Sequence, residues 1–358
     1  MKITLQAWQL NDAMAMIGPV APMRTPKPVL SCVKIVAAEG TAVLTATDLE
    51  SGVRYSIADV QVDEPGEIAI PAKRLADIAK SMAGEVVIST TGTTANISGD
   101  GSRFKVFGFD AAECPLVQPP AEGREVGISG ATLAAVIGRT AFATARTSGH
   151  YAISGLLFEV SAKRLRVVAT DGHRLAICDT DAKADGDAVA VVSPKFCAMV
   201  AKLGDGDVSL RISETAISAT TAKVTITGQL VAGNFPKYAD IIPKGATSTA
   251  ILDGGAAAHA VRMAAMMAGG RGIRCTFEGE TLTITSATPE MGEATARCGV
   301  KLNGDKIAIG FNPAFIADGL QACGDGEVVL SMTAPNKPAV MRAERFSFAY
   351  IIMPVEIA

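Results

Sequence analysis

The sequence repeats one pattern three times. Each copy runs from a proline through an amphipathic stretch and a turn of Gly and acidic residues into an apolar strand, and the copies span residues 70–90, 192–213 and 311–332. A second marker keeps the same period, because LTATD and VVATD end at Asp48 and Asp171, as far apart as Pro71 and Pro194. Its third copy, LTITSATPE, lacks the Asp. The chain is therefore predicted to contain three related units of about 120 residues.

Length and turn composition agree with three domains. A chain of 358 residues is long enough for two or three domains that each bury a core. Boundaries are expected in the Pro/Gly-rich stretch 118–123 and near residues 244–248, because few contacts cross such segments. The predicted domains are residues 1–121, 122–245 and 246–358.

The periodicity within a unit predicts helices packed on antiparallel sheets. Behind Pro71, the apolar residues Leu75, Ile78 and Met82 recur at helical spacing, and proline is favoured at the start of a helix. Alternating apolar residues on either side predict half-buried strands that are separated by Gly, Asp or Asn turns. A further helix is expected near the start of each unit, over residues 10–17, 131–145 and 256–268. The predicted fold class is α+β, with two helices on a mostly antiparallel sheet in each domain.

The sequence disfavours several classes of function. It has no apolar run of membrane-spanning length and no charged-then-apolar leader, which predicts a cytoplasmic protein with no membrane partner. The seven cysteines are scattered and the three histidines lack metal-ligand spacing, so no metal site is expected. No glycine-rich phosphate motif follows a strand, and no cofactor is expected. The net charge of −3 restricts any contact with DNA to a local face.

One polar cluster has the composition of a catalytic site: Asp171, Gly172, His173 and Arg174. An enzyme could use His173 as a general base oriented by Asp171, but no motif supplies a nucleophile. Alternatively, Asp171 and Gly172 make a tight turn that leaves a strand. The turn is the favoured interpretation, because the first unit repeats it with Leu49 in place of Gly172. No catalytic residue is predicted.

Three stretches of the chain resemble one known family. They are ISGLLFEVSAKRLRVVATDGHRLAIC at 153–178, GNFPKYADIIPK at 233–244 and YIIMP at 350–354. The first unit continues the resemblance in PVLSCVKIVAAEGTAVLTATDLE and PGEIAIPAKRLADI. These motifs cover the chain in order and are similar to those of the DNA polymerase III beta subunits, the bacterial sliding clamps.

The resemblance implies a non-enzymatic processivity factor of clamp-type domains. It implies a homodimer that closes head to tail into a ring around double-stranded DNA, which the ring would encircle without sequence preference. The implied protein partners are the replicative polymerase alpha subunit, the clamp loader, other DNA polymerases and repair proteins, all bound through short peptide motifs. Repeated units related by a constant rotation can close into such a ring, which gives the repeat a physical purpose.

The resemblance also implies a surface that faces DNA. Arg24 matches an arginine in a DNA-facing loop of the family, and Arg146, His150 and Tyr151 match the corresponding loop of the second unit. Phosphate contacts by such residues carry no sequence information. The remaining candidates lie on the predicted helices and their ends: Lys73, Arg139, Lys195, Lys202 and Arg262.

A groove for partner peptides is the second implied site. Its predicted residues are Ile153, Thr170, Gly172, His173, Arg174, Leu175, Pro243, Val340, Met353 and Pro354. A cleft with Met and Pro walls suits an extended peptide with one or two large apolar anchors. Because a strand cannot continue past Pro354, the terminal residues are expected to have little role in the sheet.

The dimer interface is predicted from opposite charges in the first and third units. Basic residues on the strand RFKVF would face acidic residues of the third unit, with aromatic residues beside them. The predicted residues are Arg103, Phe104, Lys105, Phe107, Glu290 and Glu293.

One departure from the family leaves an alternative open. The family ends its Met-Pro motif with a basic residue, whereas this chain has Glu356. A more acidic rim would alter the preference for partners, as in a divergent accessory or drug-tolerant copy of the clamp. An unrelated hydrolase that uses Asp171 and His173 is the third hypothesis.

Overall fold

The structure of the protein, a computed structural model, describes residues 1–146 and 152–356. The first 121 residues form helices α1 (Ala7–Ile17) and α2 (Ala72–Ser81). Their strands are β1 (Lys2–Gln6), β2 (Cys32–Ala38), β3 (Thr41–Thr47), β4 (Ser51–Ile57), β5 (Gln61–Glu64), β6 (Gly66–Pro71), β7 (Glu85–Thr91), β8 (Thr94–Gly99) and β9 (Ser102–Phe107).

The described residues of the central stretch form helices α3 (Gly130–Thr140) and α4 (Pro194–Val200). Their strands are β10 (Arg124–Ser129), β11 (Leu156–Ser161), β12 (Arg164–Thr170), β13 (Arg174–Asp181), β14 (Lys183–Ala184), β15 (Ala188–Val192), β16 (Asp207–Ile212), β17 (Ala216–Thr220) and β18 (Val224–Gln229).

The last stretch forms helices α5 (Gly254–Ala265) and α6 (Pro313–Cys323). Its strands are β19 (Ser248–Asp253), β20 (Ile273–Glu278), β21 (Thr281–Thr288), β22 (Gly292–Gly304), β23 (Ile307–Phe311), β24 (Glu327–Met332), β25 (Ala339–Ala343) and β26 (Phe348–Ile352). The prediction of two helices in each repeat is therefore confirmed for the described residues.

The chain packs into two compact units that do not coincide with the three repeats. One unit contains residues 1–133, 184–186 and 195–230, and the other contains residues 134–183, 187–194 and 231–358. The central stretch contributes to both units because its strands pair in both: β18 pairs with β4, and β13 pairs with β26. The domain boundaries near residues 121 and 245 stay predictions.

The first unit is built on antiparallel sheets. A five-stranded sheet has the order β5-β1-β7-β8-β9, and a larger sheet includes the order β10-β16-β17-β18-β4-β3-β2-β6. Burial alternates along these strands, as in β3, where Ala42, Leu44 and Ala46 are buried and the residues between them are not. Because side chains alternate across a strand, the larger sheet has one apolar face, and helices α1 and α2 cover it.

The second unit contains one continuous sheet of twelve strands. Its order is β15-β11-β12-β13-β26-β25-β24-β19-β22-β21-β20-β23. The long strand β22 joins two parts of this sheet, because residues 292–299 pair with β21 and residues 300–304 pair with β19. Helices α5 and α6 pack against each other and against this sheet.

The helices begin where the sequence provides caps. Helix α2 buries Leu75, Ile78 and Ala79 on the predicted stripe. Helix α6 has Pro313 in its first turn, and the Asn312 side chain accepts a hydrogen bond from the N–H of Ala314 at 2.9 Å. These contacts satisfy main-chain groups at the start of a helix, which otherwise lack a partner.

The helices at the start of each repeat differ from the predicted bounds for local reasons. Helix α1 starts earlier, because the Gln9 side chain accepts a bond from the Gln6 N–H at 2.9 Å. Helix α5 also starts earlier, since Asp253 caps the Ala256 N–H at 2.8 Å. Helix α3 ends at Thr140, whose hydroxyl bonds back to the Val136 carbonyl at 2.9 Å, and a short 3-10 turn follows.

Candidate functional site

The polar cluster after β12 is a tight turn. One oxygen of the Asp171 carboxylate accepts the main-chain N–H groups of His173 at 2.9 Å and Arg174 at 3.1 Å. The Thr170 hydroxyl donates to the Arg174 carbonyl at 2.6 Å, and Gly172 has a φ of 90°. The carboxylate that an enzyme would use to orient His173 is thus held by the turn. The turn interpretation of this cluster is confirmed.

The Arg174 side chain contacts three parts of the chain: its own turn, helix α6 and the 3-10 turn that contains Phe142. Its guanidinium donates to Asp171 at 2.9 Å, to Asp318 of α6 at 2.6 Å and to the Phe142 carbonyl at 2.7 Å. It also lies over the ring of Phe315, with 4.3 Å from its central carbon to the ring centroid. Arg174 therefore positions the turn from the helix side of the sheet.

The charge on Arg174 is stabilised despite its burial. Its side chain is only 11 % exposed. Burial lowers the pKa of the guanidinium, but the bond to Asp318, the neighbouring Tyr350 and the bond to Asp171 outweigh burial and raise the pKa above its ordinary value. Because Arg174 points to the helix side, its neighbour Leu175 points to the other face.

That other face of the sheet has a buried apolar cluster. Leu175, Val340 and Ile351 come from the adjacent strands β13, β25 and β26 and are almost fully buried. Partly buried side chains that follow β18 pack against the cluster: Val231, Phe235 and Ile242. The predicted peptide groove would have this cluster as its apolar floor.

The segment 231–242 is fixed over this floor by polar contacts. The Tyr238 hydroxyl donates to Glu159 of β11. On the next strand, Arg166 makes a bidentate pair with Asp179 at 2.6 and 2.8 Å. The Val231 N–H also donates to the Val191 carbonyl at 2.8 Å. The bonds of Val231 and Tyr238 hold this segment on the sheet, Ile242 packs against the apolar cluster, and the following Pro243 is half-buried.

The chain end is bonded to the turn at His173. The Met353 N–H donates to the His173 carbonyl at 3.0 Å, and the Val355 N–H donates to the Gly310 carbonyl at 2.9 Å. Met353 and Pro354 are half-buried, and His173 is exposed. Strand β26 ends at Ile352 and residues 353–356 belong to no strand, as expected, although Met353 and Val355 on either side of Pro354 each donate one main-chain hydrogen bond.

The predicted groove residues thus fall on connected elements of the second unit. The residues from Thr170 to Leu175 form the turn and the start of β13, Val340 is in the floor, and Met353 is bonded to His173. Ile153 is half-buried, and its carbonyl accepts the Ala145 N–H at 3.0 Å. The role of these residues in binding a peptide stays a prediction.

The predicted DNA-facing residues differ in how exposed their side chains are and in whether other residues already bind them. Five of them have exposed side chains, namely Arg24, Lys73, Arg146, Lys202 and Arg262. Lys195 forms an ion pair with Asp48. Arg139 lies over the ring of Phe346 at 3.7 Å and donates to the Ala135 carbonyl at 3.2 Å, so packing accounts for part of its role. His150 and Tyr151 lie outside the described residues.

Three family models match consecutive parts of the chain. They describe the N-terminal domain of the DNA polymerase III beta subunit at residues 1–118, its central domain at 127–237 and its C-terminal domain at 239–356. The chain belongs to the DNA polymerase III beta subunit family. It therefore consists of three clamp-type domains, and its function is that of a sliding clamp.

Relatives and solved structures of this family agree along the whole chain. The beta sliding clamp of Pseudomonas aeruginosa is 32 % identical over 367 residues, and that of Escherichia coli K12 is 29 % identical over 366 residues; both alignments cover all of each chain. The crystal structure of the Pseudomonas aeruginosa clamp bound to griselimycin has a TM-score of 0.94 at 31 % identity. That match also covers all of both chains.

Sequence patterns alone did not identify several residues at the candidate groove of this sliding clamp. Phe315 stacks on His173 with ring centroids 6.5 Å apart, and Ile242 and Ile351 belong to the floor or its cover. Phe315 lies in a helix with no motif, and its contact with His173 depends on how α6 packs. Ile242 could have been predicted, because it directly precedes Pro243 in the motif GNFPKYADIIPK.

The described residues give no sign of a metal site or a membrane span. No group of three His, Cys, Asp or Glu side chains in them is arranged to hold a metal ion. In the same part of the chain, no helix is both long enough and apolar enough to cross a membrane.

Proposed function

We propose that two copies of this clamp close head to tail into a ring that encircles duplex DNA and tethers the replicative polymerase to it. In this proposal the domains are residues 1–121, 122–245 and 246–358, and two chains supply six of them. The ring acts in the cytoplasm as a processivity subunit with no catalytic residues of its own. Because a closed ring stays on DNA by topology, it needs no tight contact that would oppose sliding.

The first observation in support is a free sheet edge in the first unit. Strand β9 ends the five-stranded sheet and pairs only with β8 among the described residues. Arg103, Lys105 and Phe107 are exposed on it, while Phe104 faces a groove of about 710 Å³ against α2. An exposed strand edge beside a groove with apolar and charged walls is a surface that a second chain can cover.

A matching free edge lies in the second unit. Residues 292–299 of β22 pair with β21 on one side, and within the described chain no strand pairs with their other side. Glu293 is exposed on this edge and Glu290 in the turn before it, although Arg297 on the same strand adds one positive charge. Exposed methionines lie on α5, directly after it and in that turn: Met263, Met266 and Met291.

These two edges carry the proposal, because they are complementary in charge: the β9 edge has basic residues and the β22 edge has acidic residues. If β9 of one copy pairs with residues 292–299 of a second copy, Arg103 and Lys105 approach Glu290 and Glu293. The methionines would then cover the apolar residues of the groove beside Phe104. Such a contact joins two different surfaces, and it closes into a ring when the rotation between copies fits.

DNA contact in this proposal is weak and local. The exposed candidates Arg24, Lys73, Arg146, Lys202 and Arg262 would meet phosphates, and His150 and Tyr151 are proposed beside Arg146. Each phosphate contact adds affinity that falls with salt but adds no preference for sequence. A net charge of −3 keeps the rest of the surface from binding DNA.

Partner proteins are proposed to dock in the groove above Leu175, Val340 and Ile351. The apolar floor, the half-buried Met353 and the exposed His173 suit an extended peptide with large apolar anchors. The proposed users are the polymerase alpha subunit, the clamp loader, other DNA polymerases and repair proteins. One groove that serves several partners in turn requires moderate affinity for each.

Sedimentation velocity tests the proposed dimer. The natural chain should sediment as a dimer at micromolar concentration, and Arg103→Glu with Lys105→Glu should produce monomers. A control variant, Arg54→Glu with Lys223→Glu, makes the same charge change at two exposed positions of the first unit and should remain a dimer. A dimer that survives the first pair of substitutions would refute this interface.

A further inference from the structure

A large cleft in the first unit lies apart from the surfaces proposed to bind proteins. Its volume is about 790 Å³, and its walls come from helix α1, from strands β4, β16 and β18 and from the segment that follows α4. All of these walls belong to the first unit, whereas the peptide groove lies in the second. The cleft also shares no lining residue with the groove beside β9. A cleft of this size can hold a small molecule.

The floor of the cleft is apolar and includes one aromatic ring. Val224 is buried in it, and Met16 and Leu203 are half-buried beside it. Tyr55 is half-buried and lies directly across from Val224 in the pairing of β4 with β18. Because residues directly opposite each other in an antiparallel pair point to the same face of the sheet, the Tyr55 ring extends this floor. The floor therefore offers apolar contacts and a ring to a planar ligand group.

Charges of both signs surround the floor. Lys202 follows α4, Lys223 lies in the turn before β18, and both are exposed. Asp12 of α1 and Asp207 of β16 also line the cleft and are exposed. None of these four side chains forms an ion pair within the described residues, so each can meet a charged or polar ligand group.

One of the two carboxylates lies near the aromatic ring. Burial raises the pKa of the Tyr55 hydroxyl, and the negative charge of Asp12 raises it further. A planar ligand group that packs on Tyr55 is therefore close to an acceptor for its N–H groups. The lysines lie on other elements of the cleft, where they can bind an anionic group.

These features suit a ligand that has an anionic end and a planar end with N–H donors. A nucleotide has both, because its phosphate is anionic and the bases adenine, cytosine and guanine carry an exocyclic amino group. Bases also stack on aromatic side chains whatever their identity. Phosphate alone gains little here, since the carboxylates of Asp12 and Asp207 balance the charges of the two lysines.

We propose that this cleft binds a nucleotide, with the base against Tyr55 and the phosphate between Lys202 and Lys223. Asp12 accepts a hydrogen bond from the amino group of the base, which disfavours thymine. The site depends neither on the ring nor on the peptide groove. Lys202 is also a candidate for DNA contact, so a bound nucleotide would compete with duplex phosphates for this side chain. That competition, unlike the binding itself, rests on the proposed DNA-facing surface.

Isothermal titration calorimetry tests the class of ligand. The probes are dAMP, dCMP, dTMP, deoxyadenosine and inorganic phosphate, each added to the natural protein. The affinity for dAMP and dCMP should exceed that for dTMP about three- to tenfold, because thymine lacks the amino group. Deoxyadenosine and inorganic phosphate should each bind about tenfold more weakly than dAMP, or less. Equal affinity for dAMP and inorganic phosphate, or no binding of dAMP, would overturn the proposal.

Variants assign the binding to named side chains. Lys223→Gln should weaken dAMP about three- to tenfold, and Asp12→Ala should remove the preference for dAMP over dTMP. Lys223 is chosen because loss of Lys202 would also alter DNA contact. Lys80→Gln makes the same charge change at an exposed position of α2 outside the cleft and should bind dAMP as the natural protein does. Equal affinity in Lys223→Gln and Lys80→Gln would overturn the phosphate position.

Trp8 provides an independent test of where the nucleotide binds. It is the only tryptophan of the chain, its side chain is 60 % exposed, and it precedes Asp12 by four residues on α1. Residues four apart on a helix are neighbours, so a base beside Asp12 should change the fluorescence of Trp8 with the midpoint that calorimetry gives. Trp8→Phe should remove this signal and keep the heat of binding. Heat of binding without any change in Trp8 fluorescence would overturn this site.

A trinucleotide with adenine between two thymines tests the source of the nucleotide. Tighter binding than dAMP, weakened by Lys223→Gln, would assign the site to an unpaired nucleotide within a DNA strand. Weaker binding than dAMP, together with weakening of dAMP by Lys223→Gln, would assign it to free nucleotides. If Lys223→Gln binds both the trinucleotide and dAMP as the natural protein does, the cleft is not a nucleotide site.

Discussion

Leu49 and Gly172 occupy the same position in two copies of one turn, and both have a positive φ, of 82° and 90°. In the first copy, one oxygen of Asp48 accepts the N–H groups of Glu50 at 3.0 Å and Ser51 at 2.6 Å. In the second copy, Asp171 makes the equivalent bonds. The repeat is therefore conserved within the chain at the level of hydrogen bonds, even where the residue type differs.

This relationship predicts opposite effects of substitution at the two positions. A side chain at positive φ costs about 1–2 kcal/mol, whereas glycine loses about 0.5–1 kcal/mol of chain entropy. Leu49→Gly should thus raise the free energy of unfolding by up to about 1 kcal/mol. Gly172→Ala should lower it by about 1 kcal/mol, although space is open around that position. Urea unfolding of both variants measures these changes in the free energy of unfolding, and an increase for Gly172→Ala would contradict the prediction.

Arg174 should resist even conservative replacement. Lysine cannot reach Asp171, Asp318 and the Phe142 carbonyl together, because it lacks the planar fork of the guanidinium. Arg174→Lys should lower the free energy of unfolding by about 2 kcal/mol, since the partly buried partners of the guanidinium lose their bonds. Arg164→Lys is the control, because Arg164 is 50 % exposed and lies 4.0 Å from Asp179. Equal effects in urea unfolding would show that the three-way contact is not important for stability.

The contacts of Arg174 also show what the sequence could and could not predict. The helix stripe of α2 and the turn at Asp171 were predictable, because local spacing determines both. The bond from Arg174 to Asp318 joins residues 144 positions apart, and nothing in the motif TDGHRLA indicates it. The contact of Val355 with Gly310 is also long-range. The turn of the site was therefore predictable, whereas the hydrogen bonds that hold the turn and the chain end in place depend on packing between distant elements.

Met353 should contribute a large share of peptide binding. Met353→Ala should weaken an anchor peptide by about 2 kcal/mol, or about thirtyfold, because it removes one apolar wall of the groove. The substitution keeps the main-chain bond to His173, which deletion of residues 353–358 would also remove. Fluorescence polarisation measures the affinity, and Met23→Ala is the control because Met23 is 86 % exposed. Unchanged affinity in Met353→Ala would remove Met353 from the groove.

Two lysines in the first unit should differ in their contribution to DNA binding. Lys202 has no ion pair among the described residues, so Lys202→Ala should reduce the slope of log affinity against log salt by about one. Lys195 forms an ion pair with Asp48. Burial raises the pKa of the Asp48 carboxyl, but the hydrogen bonds from Lys195 and Ser51 have the larger combined effect and lower that pKa. Lys195→Ala should therefore change the slope less. Titration of short duplexes at several salt concentrations compares them, and a larger change for Lys195→Ala would contradict the pairing.

The closed ring is tested most directly by retention on DNA of different topology. The protein is assembled on nicked circular DNA by a bacterial clamp loader, and the complex is separated by gel filtration before and after one cut by a restriction enzyme. A ring held by topology should stay with the circle and run off the linear DNA, in the same buffer and on the same sequence. Equal retention on both forms, or equal loss from both, would contradict the account.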